Sequence, residues 1–329
     1  MRVAVVCLGA LLASCNRPAP SVVVYASVDQ VYSEPVFKAF EQRTGIRVLP
    51  VYDVEAAKTT GLVNRLAAEK SRPVADVFWS GEFAQTVLLG ERGVLAPYAP
   101  RAAASARAEC SDPAGYWTCF GGRARVLLVN TRLAKPGAVP AEVLRLADGD
   151  FPPQSIAVAN PLFGTSFTHA AALYATLGAS PAQSFYRRLV DRGVKIAEGN
   201  SEVRNLVERG EVALGLTDSD DACASIASGA PVRAIVPDQE GGGTLVIPNS
   251  VALIAGAPHP TQAKELIEYL LSSEVEDRLI QAGWVQASAR AAAGSCLGAG
   301  AIKPMTVAAA SVVRQMDRAR KELSEIFLK

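Results

Sequence analysis

The feature that most restricts the fold of this chain is a regular alternation of short apolar β runs with helical stretches. Residues 22–25 are an apolar run of strand length, 46–51 and 75–79 are the next two predicted strands, and helical patterns lie between them. The alternation returns between residues 156 and 217. Strands that alternate with helices predict parallel sheets covered on both faces, so we expect an α/β protein.

Two helices can be predicted in more detail. Ser33, followed by Glu34 and Pro35, has the form of a helix start with Ser33 as the N-cap. Apolar residues keep helical spacing from residue 261 to 282, which predicts one long helix there.

The length of the chain favours two domains. The 329 residues are too many for one ordinary core and suit two units of about 150 residues each. Long strand runs at 125–130 and 246–255 interrupt the βα series, and we interpret them as crossovers between two lobes. The predicted boundaries are 21–122 and 245–290 for lobe one, and 123–244 and 291–329 for lobe two.

The N-terminus has the pattern of an export signal. A short positive start precedes the apolar run 3–13, which is too short to span a bilayer as a helix. The run ends in Leu-Ala-Ser-Cys15, which resembles the bacterial lipobox. We predict a signal peptide over 1–15, lipidation of Cys15 and a tether over 16–20, hence an exported, lipid-anchored protein in the periplasm or on the outer face of a bacterial membrane. The alternative is an ordinary secretory signal with a chance cysteine.

Charge and motifs exclude several function classes. Lys+Arg 33 against Asp+Glu 32 leaves no basic field for nucleic acid. The sequence contains no Walker loop, no dinucleotide-binding glycine pattern after the first strand, no His-Glu-x-x-His and no Gly-x-Ser-x-Gly. A periplasmic hydrolase stays as an alternative, and His169 is its one candidate base.

Four cysteines remain after the export signal, an even number in an exported chain. Cys110 and Cys119 flank a short loop and are predicted to pair. Cys223 and Cys296 would then form a long-range disulfide. Their spacings match no zinc pattern, so the rival metal-site interpretation is set aside.

Polar loops follow the predicted strands, at the edge where open α/β sheets bind ligands. Thr165, Ser166 and Thr168 lie where a strand gives way to a helix, and free backbone N–H groups there suit an anion. The alternative is plain helix capping.

A second polar loop carries three acids, Asp218, Asp220 and Asp221, which repel one another unless a cation or a helix N-terminus compensates them. Capping of a helix is again the alternative. Asp29 and Glu82, on loops of lobe one, are expected to face the same cleft.

Seven short sequence motifs, taken in their order along the chain, resemble those of the iron-type extracellular solute-binding proteins of ABC importers. They are Val-Tyr-Ala-Ser at 24–27, Phe-Glu-x-x-Thr-Gly-Ile-x-Val at 40–48, Ala-Asp-Val-Phe-Trp at 75–79, Arg-x-Arg-Val at 123–126, Asn-Pro-Leu-Phe-Gly-Thr at 160–165, Gly-Asn-Ser at 199–201 and Leu-Thr-Asp-Ser-Asp-Asp-Ala at 216–222. The resemblance implies a two-lobed periplasmic-binding-protein fold of type II, with the ligand cleft between lobes joined by crossing strands. It implies a monomer without catalysis or resident cofactor that delivers its ligand to permease and ATPase subunits.

The resemblance also implies a ligand set. Thr165 and Ser166 fall near the family's anion loop, and Asn200 falls near an anion-contacting asparagine. The paired tyrosines of ferric binders are replaced by Asp220 and Asp221. A ligating histidine of the family is replaced by Asp29, and a ligating glutamate of the family would fall at or beside Gly81, with Glu82 next to it. The predicted metal ligands are therefore Asp29, Glu82, Asp220 and Asp221, and the full predicted ligand-binding set is Ser27, Asp29, Glu82, Thr165, Ser166, Asn200, Ser201, Asp218, Asp220 and Asp221.

The expected cargo is ferric iron or a similar small hard ion, with or without a synergistic anion, because carboxylates are hard-oxygen ligands. The alternative cargo is a small organic zwitterion such as an aminoalkylphosphonate. In that case the carboxylates would hold an ammonium, and a helix start in lobe two would hold the phosphonate.

Overall fold

The computed structural model describes residues 19–53, 59–101, 110–134, 139–149, 151–286, 288, 296–297 and 302–328. The predicted signal peptide and Cys15 lie outside the described residues. Among the residues that are described, no helix combines the length and apolar character needed to cross a bilayer.

The first βα series begins at the N-terminal end of the described chain. Its elements are β1 (Ser21–Ala26), α1 (Gln30–Thr44), β2 (Arg47–Tyr52), α2 (Thr60–Ala68), β3 (Val77–Ser80), α3 (Ala84–Glu91) and β4 (Leu95–Ala96). The parallel strands β2, β1 and β3 lie side by side in that order. Val22, Val24 and Trp79 on these strands are fully buried, as their apolar runs predict.

The long strand β5 (Thr118–Asn130) opens the second series. Two 3-10 turns, Val143–Ala147 and Pro153–Ser155, follow it. The remaining elements are β6 (Ile156–Ala159), α4 (Gly164–Leu177), α5 (Ala179–Asp191), β7 (Lys195–Ala197), α6 (Asn200–Glu208), β8 (Leu214–Asp218), α7 (Ser219–Ala227), β9 (Val232–Ile235), β10 (Val246–Ile254), α8 (Pro260–Leu270), α9 (Ser273–Gln281) and α10 (Ala309–Phe327).

Two antiparallel strands join the two series. The strand order is β2-β1-β3-β10-β5-β8-β6-β7, with β4 beside β10 and β9 beside β5. The N-terminal part of β5 pairs with β10, and its C-terminal part, from Arg125 onward, pairs with β8 and β9. The α/β class and the crossing strands are thus confirmed, although β5 begins at Thr118 and is longer than the predicted run 125–130. The lobe boundaries stay a prediction.

The C-terminal helix packs against the second series. Val312, Met316 and Leu323 of α10 share one buried apolar cluster with Phe167 of α4 and Phe185 of α5. Both predicted disulfides are present. The Cα atoms of Cys110 and Cys119 lie 5.7 Å apart, and those of Cys223 and Cys296 lie 5.4 Å apart.

Two local predictions were wrong. Helix α1 begins at Gln30 with Asp29 at the N-cap, and the Ser33 hydroxyl donates to the Asp29 carbonyl within the first turn. The predicted helix 261–282 is two helices, because Ser272 starts a new one and accepts a hydrogen bond from the Val275 N–H. The apolar spacing runs unchanged through this break, so periodicity alone cannot reveal it.

Candidate functional site

A polar cleft lies where the strands of both series end. It encloses about 530 Å³ of space not filled by protein atoms, part of it open to solvent. All ten residues of the predicted ligand-binding set line this one cleft: Ser27, Asp29, Glu82, Thr165, Ser166, Asn200, Ser201, Asp218, Asp220 and Asp221. The structure thus brings the predicted loops together, and the role of each residue in binding stays a prediction.

Three helices of the second series begin at the cleft. They are α4 at Gly164, α6 at Asn200 and α7 at Ser219, and in none of them does the side chain of the N-cap residue bond to the first turn. Gly164 has a φ of +53°, a backbone conformation that favours glycine and turns the chain into α4. Helix starts carry free N–H groups and a partial positive charge, so this side of the cleft favours negative charge.

Asp218 is the centre of a buried hydrogen-bond network. Its Oδ1 accepts from Arg125 Nη1 at 2.6 Å, and its Oδ2 accepts from Thr165 Oγ1 at 2.6 Å and from Asn200 Nδ2 at 3.0 Å. Burial alone would raise the pKa of Asp218. The guanidinium groups of Arg125 and Arg123 outweigh that effect and hold the pKa below its usual range. Asp218 is therefore ionised and balances Arg125.

Arg123 connects the two sides of the cleft. Its Nη2 donates to the Gly81 carbonyl at 2.6 Å, and its Nη1 lies 3.5 Å from Asp218 Oδ2 and 3.6 Å from Asp220 Oδ2. The guanidinium carbon lies 4.0 Å from the ring centroid of Trp284. A buried cation held by carboxylates and an aromatic face is stably placed, so Arg123 ties the loop after β3 to α7.

Asp220 is a buried acid of the cleft with one carboxylate oxygen, Oδ1, that has no hydrogen-bond partner among the described residues. Burial raises its pKa well above the usual value. Arg123 opposes this rise, and the charges of Asp221, Asp218 and Asp29 add to it. A cation beside Asp220 would relieve both the burial cost and the repulsion.

Glu82 is buried in the cleft at the start of α3. Its Oε2 accepts from the Ala84 N–H at 2.7 Å and from Thr168 Oγ1 at 2.8 Å, and its Oε1 accepts from the Gln85 N–H at 3.0 Å. It therefore caps the start of α3 and links α3 to α4. Burial raises the pKa of Glu82 to about 6, against the lowering effect of these hydrogen bonds.

The predicted metal ligands are not assembled into a cluster in this structure. Within the described ranges, no three His, Cys, Asp or Glu side chains converge closely enough to hold a metal ion. Two physical reasons are visible. The carboxylate of Glu82 is used in capping, and Asp221 Oδ1 lies 3.3 Å from Arg204 Nη1.

The prediction of the site missed both arginines. The sequence shows Arg123 and Arg125 only as part of a family motif, yet they are 4% and 1% exposed and contact the acids of the cleft. The sequence does contain a signal for them, because two arginines at the start of an apolar strand are expected to be buried. A buried charge requires a partner of opposite charge, so these arginines indicate nearby acids. His169 is buried in α4. Burial lowers its pKa to about 3, Arg125 adds to this effect and Asp218 opposes it, so the imidazole is neutral and a weak base.

The known proteins that this chain resembles are solute-binding proteins. A family model described as bacterial extracellular solute-binding protein matches residues 21–285. The chain is 24% identical over 273 residues to the major ferric iron-binding protein of Neisseria meningitidis serogroup B, covering 81% of this chain and 80% of the relative. It is 26% identical over 294 residues to a periplasmic protein of Salmonella typhi named for 2-aminoethylphosphonate binding, covering 83% and 80%.

A solved structure has the same fold. The ferric binding protein from Campylobacter jejuni superposes with a TM-score of 0.83 at 18% identity, covering 93% of this chain and 99% of that one. At this identity the likeness concerns the fold alone.

Proposed function

Since this chain belongs to the bacterial extracellular solute-binding proteins, we propose that it is the cargo-binding component of an ABC importer and that its cargo is ferric iron or a similar hard cation. The family consists of binding proteins, so the hydrolase alternative is set aside. A member of this family is exported and passes its solute to a membrane permease.

The observation that carries the cation proposal is the buried Asp220 carboxylate, whose Oδ1 has no partner among the described residues. Asp221 lies next to it on α7, and Asp29 precedes α1 in the other series. Closure of the cleft would bring carboxylates from both sides to one cation, and the cation would remove the repulsion between them. Capture of the cation is thereby coupled to the closed shape that a permease can distinguish.

A second cargo, an aminoalkylphosphonate, is favoured by a different observation. The uncapped starts of α4 and α6, with the hydroxyls of Ser166 and Ser201, line the same cleft as the acids. A phosphonate at the helix starts and an ammonium at Asp220 would satisfy both sides. The relative from Salmonella typhi is named for such a ligand.

Calorimetric titration of the apoprotein separates the two cargoes. One sample receives ferric nitrilotriacetate and a parallel sample receives 2-aminoethylphosphonate. The cation proposal expects uptake of one ferric ion per chain and no heat from the phosphonate. Binding of the phosphonate alone would favour the second cargo, and binding of neither would contradict both. Native mass spectrometry and metal analysis of the protein from its own host would identify the physiological cargo.

The mode of attachment is a further part of the proposal. The Leu-Ala-Ser-Cys15 pattern supports lipidation at Cys15, which would hold the protein at the membrane surface beside its permease and ATPase subunits. We expect a monomer, because one chain supplies both sides of the cleft.

A further inference from the structure

Two of the side chains predicted to hold an anion, Thr165 and Asn200, face a carboxylate of the protein itself, whereas Ser166 donates to Asn200 Oδ1 at 3.4 Å. Thr165, Asn200 and Arg125 donate to Asp218 at 2.6, 3.0 and 2.6 Å, and Arg123 Nη1 lies 3.5 Å away. Two guanidinium groups, a hydroxyl and an amide are the donors with which proteins bind phosphate or carbonate. The carboxylate of Asp218 receives them instead.

The backbone position of Asp218 makes this contact informative. Asp218 is the N-cap residue of α7, where an aspartate usually accepts a hydrogen bond from the first turn of its own helix. Its side chain makes no such bond and extends to Arg125, Thr165 and Asn200 instead. It is 1% exposed, so the carboxylate is held away from solvent among these donors.

We propose that Asp218 is a built-in anion that determines the specificity of the cleft: its carboxylate takes the place of a free phosphate, carbonate or phosphonate group, so the cation is bound without a synergistic anion. A free anion would have to displace a carboxylate fixed by the chain. It would also bring further negative charge next to the poorly compensated Asp220. The first part of this proposal, that free anions are excluded, depends only on Asp218. The second part, that a cation is bound without an anion, rests on the proposed function.

This specificity can be tested on the apoprotein, without any cargo. Inorganic phosphate is titrated into the wild-type chain, into Asp218→Asn and into Asp221→Asn, and binding is followed by calorimetry. The wild type should show no phosphate binding at millimolar concentration. Asp218→Asn leaves Arg125 without its counter-ion and should bind phosphate at least about 100-fold more tightly than the wild type, because an unpaired buried charge recruits a new partner.

Asp221→Asn is the matched control, because it removes the same charge from α7 but leaves the donors on Asp218. It should not acquire a phosphate site. Saturable phosphate binding by the wild type, or equal binding by the two variants, would overturn the proposal. If Asp218→Asn fails to fold without phosphate but folds with it, the proposal is supported. If Asp218→Asn folds neither with nor without phosphate, the phosphate titration of the wild type alone tests the proposal.

A second experiment addresses the anion-free capture of the cation. Ferric nitrilotriacetate is titrated into the wild type in buffers with and without phosphate and carbonate. Equal affinity in both buffers is expected, and a gain of about 10-fold or more with either anion would contradict the built-in anion. Failure of ferric binding in both buffers would contradict the proposed function, while the phosphate titrations would still test Asp218.

Discussion

The buried pair of Arg125 and Asp218 allows a prediction of magnitude. Their side chains are each 2% exposed, and Nη1 lies 2.6 Å from Oδ1. Removing one partner of a buried pair costs about 3–5 kcal/mol, because the other charge is left without compensation. In Arg125→Met, Asp218 keeps its bonds to Thr165 and Asn200 and the charge of Arg123 at 3.5 Å. We therefore expect the lower end of that range, about 3 kcal/mol.

A double-mutant cycle isolates the interaction. Arg125→Met, Asp218→Asn and the double variant are unfolded in urea at pH 7, and the free energies of unfolding are compared. The double variant should lose about 2 kcal/mol less free energy of unfolding than the two single variants lose together, because neither charge is then left without its partner.

The pair Arg209 and Glu211 is the control for this cycle. Its atoms lie 2.7 Å apart, but the side chains are 51% and 44% exposed. Its coupling energy should be far smaller than that of Arg125 and Asp218, because water screens exposed charges. A coupling between Arg125 and Asp218 no larger than that of the control would refute the reasoning that burial makes this pair strong.

Replacing Cys223 and Cys296 by serine should lower the free energy of unfolding by about 4 kcal/mol, and replacing Cys110 and Cys119 should lower it by about 3 kcal/mol. The first loss is larger because that disulfide joins residues 73 apart in sequence and the second joins residues 9 apart. Urea unfolding measures both losses, and equal losses would contradict the argument from the entropy of the unfolded chain. The raised pKa of Glu82 favours the folded state at low pH, and this contribution of at most about 2 kcal/mol should be lost as the pH rises from about 4.5 to about 6. Urea unfolding at pH 4.5 and 7 should show a smaller pH dependence in Glu82→Gln, and an unchanged one would argue against it. Cys15→Ala should prevent lipidation of the chain, and a variant that is processed and retained on membranes as before would contradict the lipid anchor.

The sequence placed the loops of the cleft correctly because their position follows from local pattern. A polar residue directly after an apolar run marks the carboxyl end of a strand, and such ends meet at one edge of a parallel sheet. Thr165, Asn200 and Asp218 could be placed beside one cleft in this way. The fold class followed from the same alternation of strands and helices.

The partners of these side chains could not be predicted in the same way. Arg125 contacts Asp218 across 93 residues of sequence, and that pairing depends on the antiparallel register of β5 and β8. The family resemblance places Glu82 among the metal ligands, but the sequence does not reveal that its carboxylate accepts hydrogen bonds from the first turn of α3. Local pattern thus shows where a side chain lies, while its partner depends on tertiary packing.

The most direct measurement is the ferric affinity of the wild type, Asp220→Asn and Asp221→Asn, determined by competition with a chelator. Both variants should lose at least about 100-fold in affinity, because each loses a charged hard-oxygen ligand in a buried setting. Glu211→Gln, an exposed acid elsewhere in the second series, should keep wild-type affinity. If the acids only order the start of α7, both Asn variants would bind iron like the wild type and lose at most about 1 kcal/mol of stability, and that result would contradict the cation site.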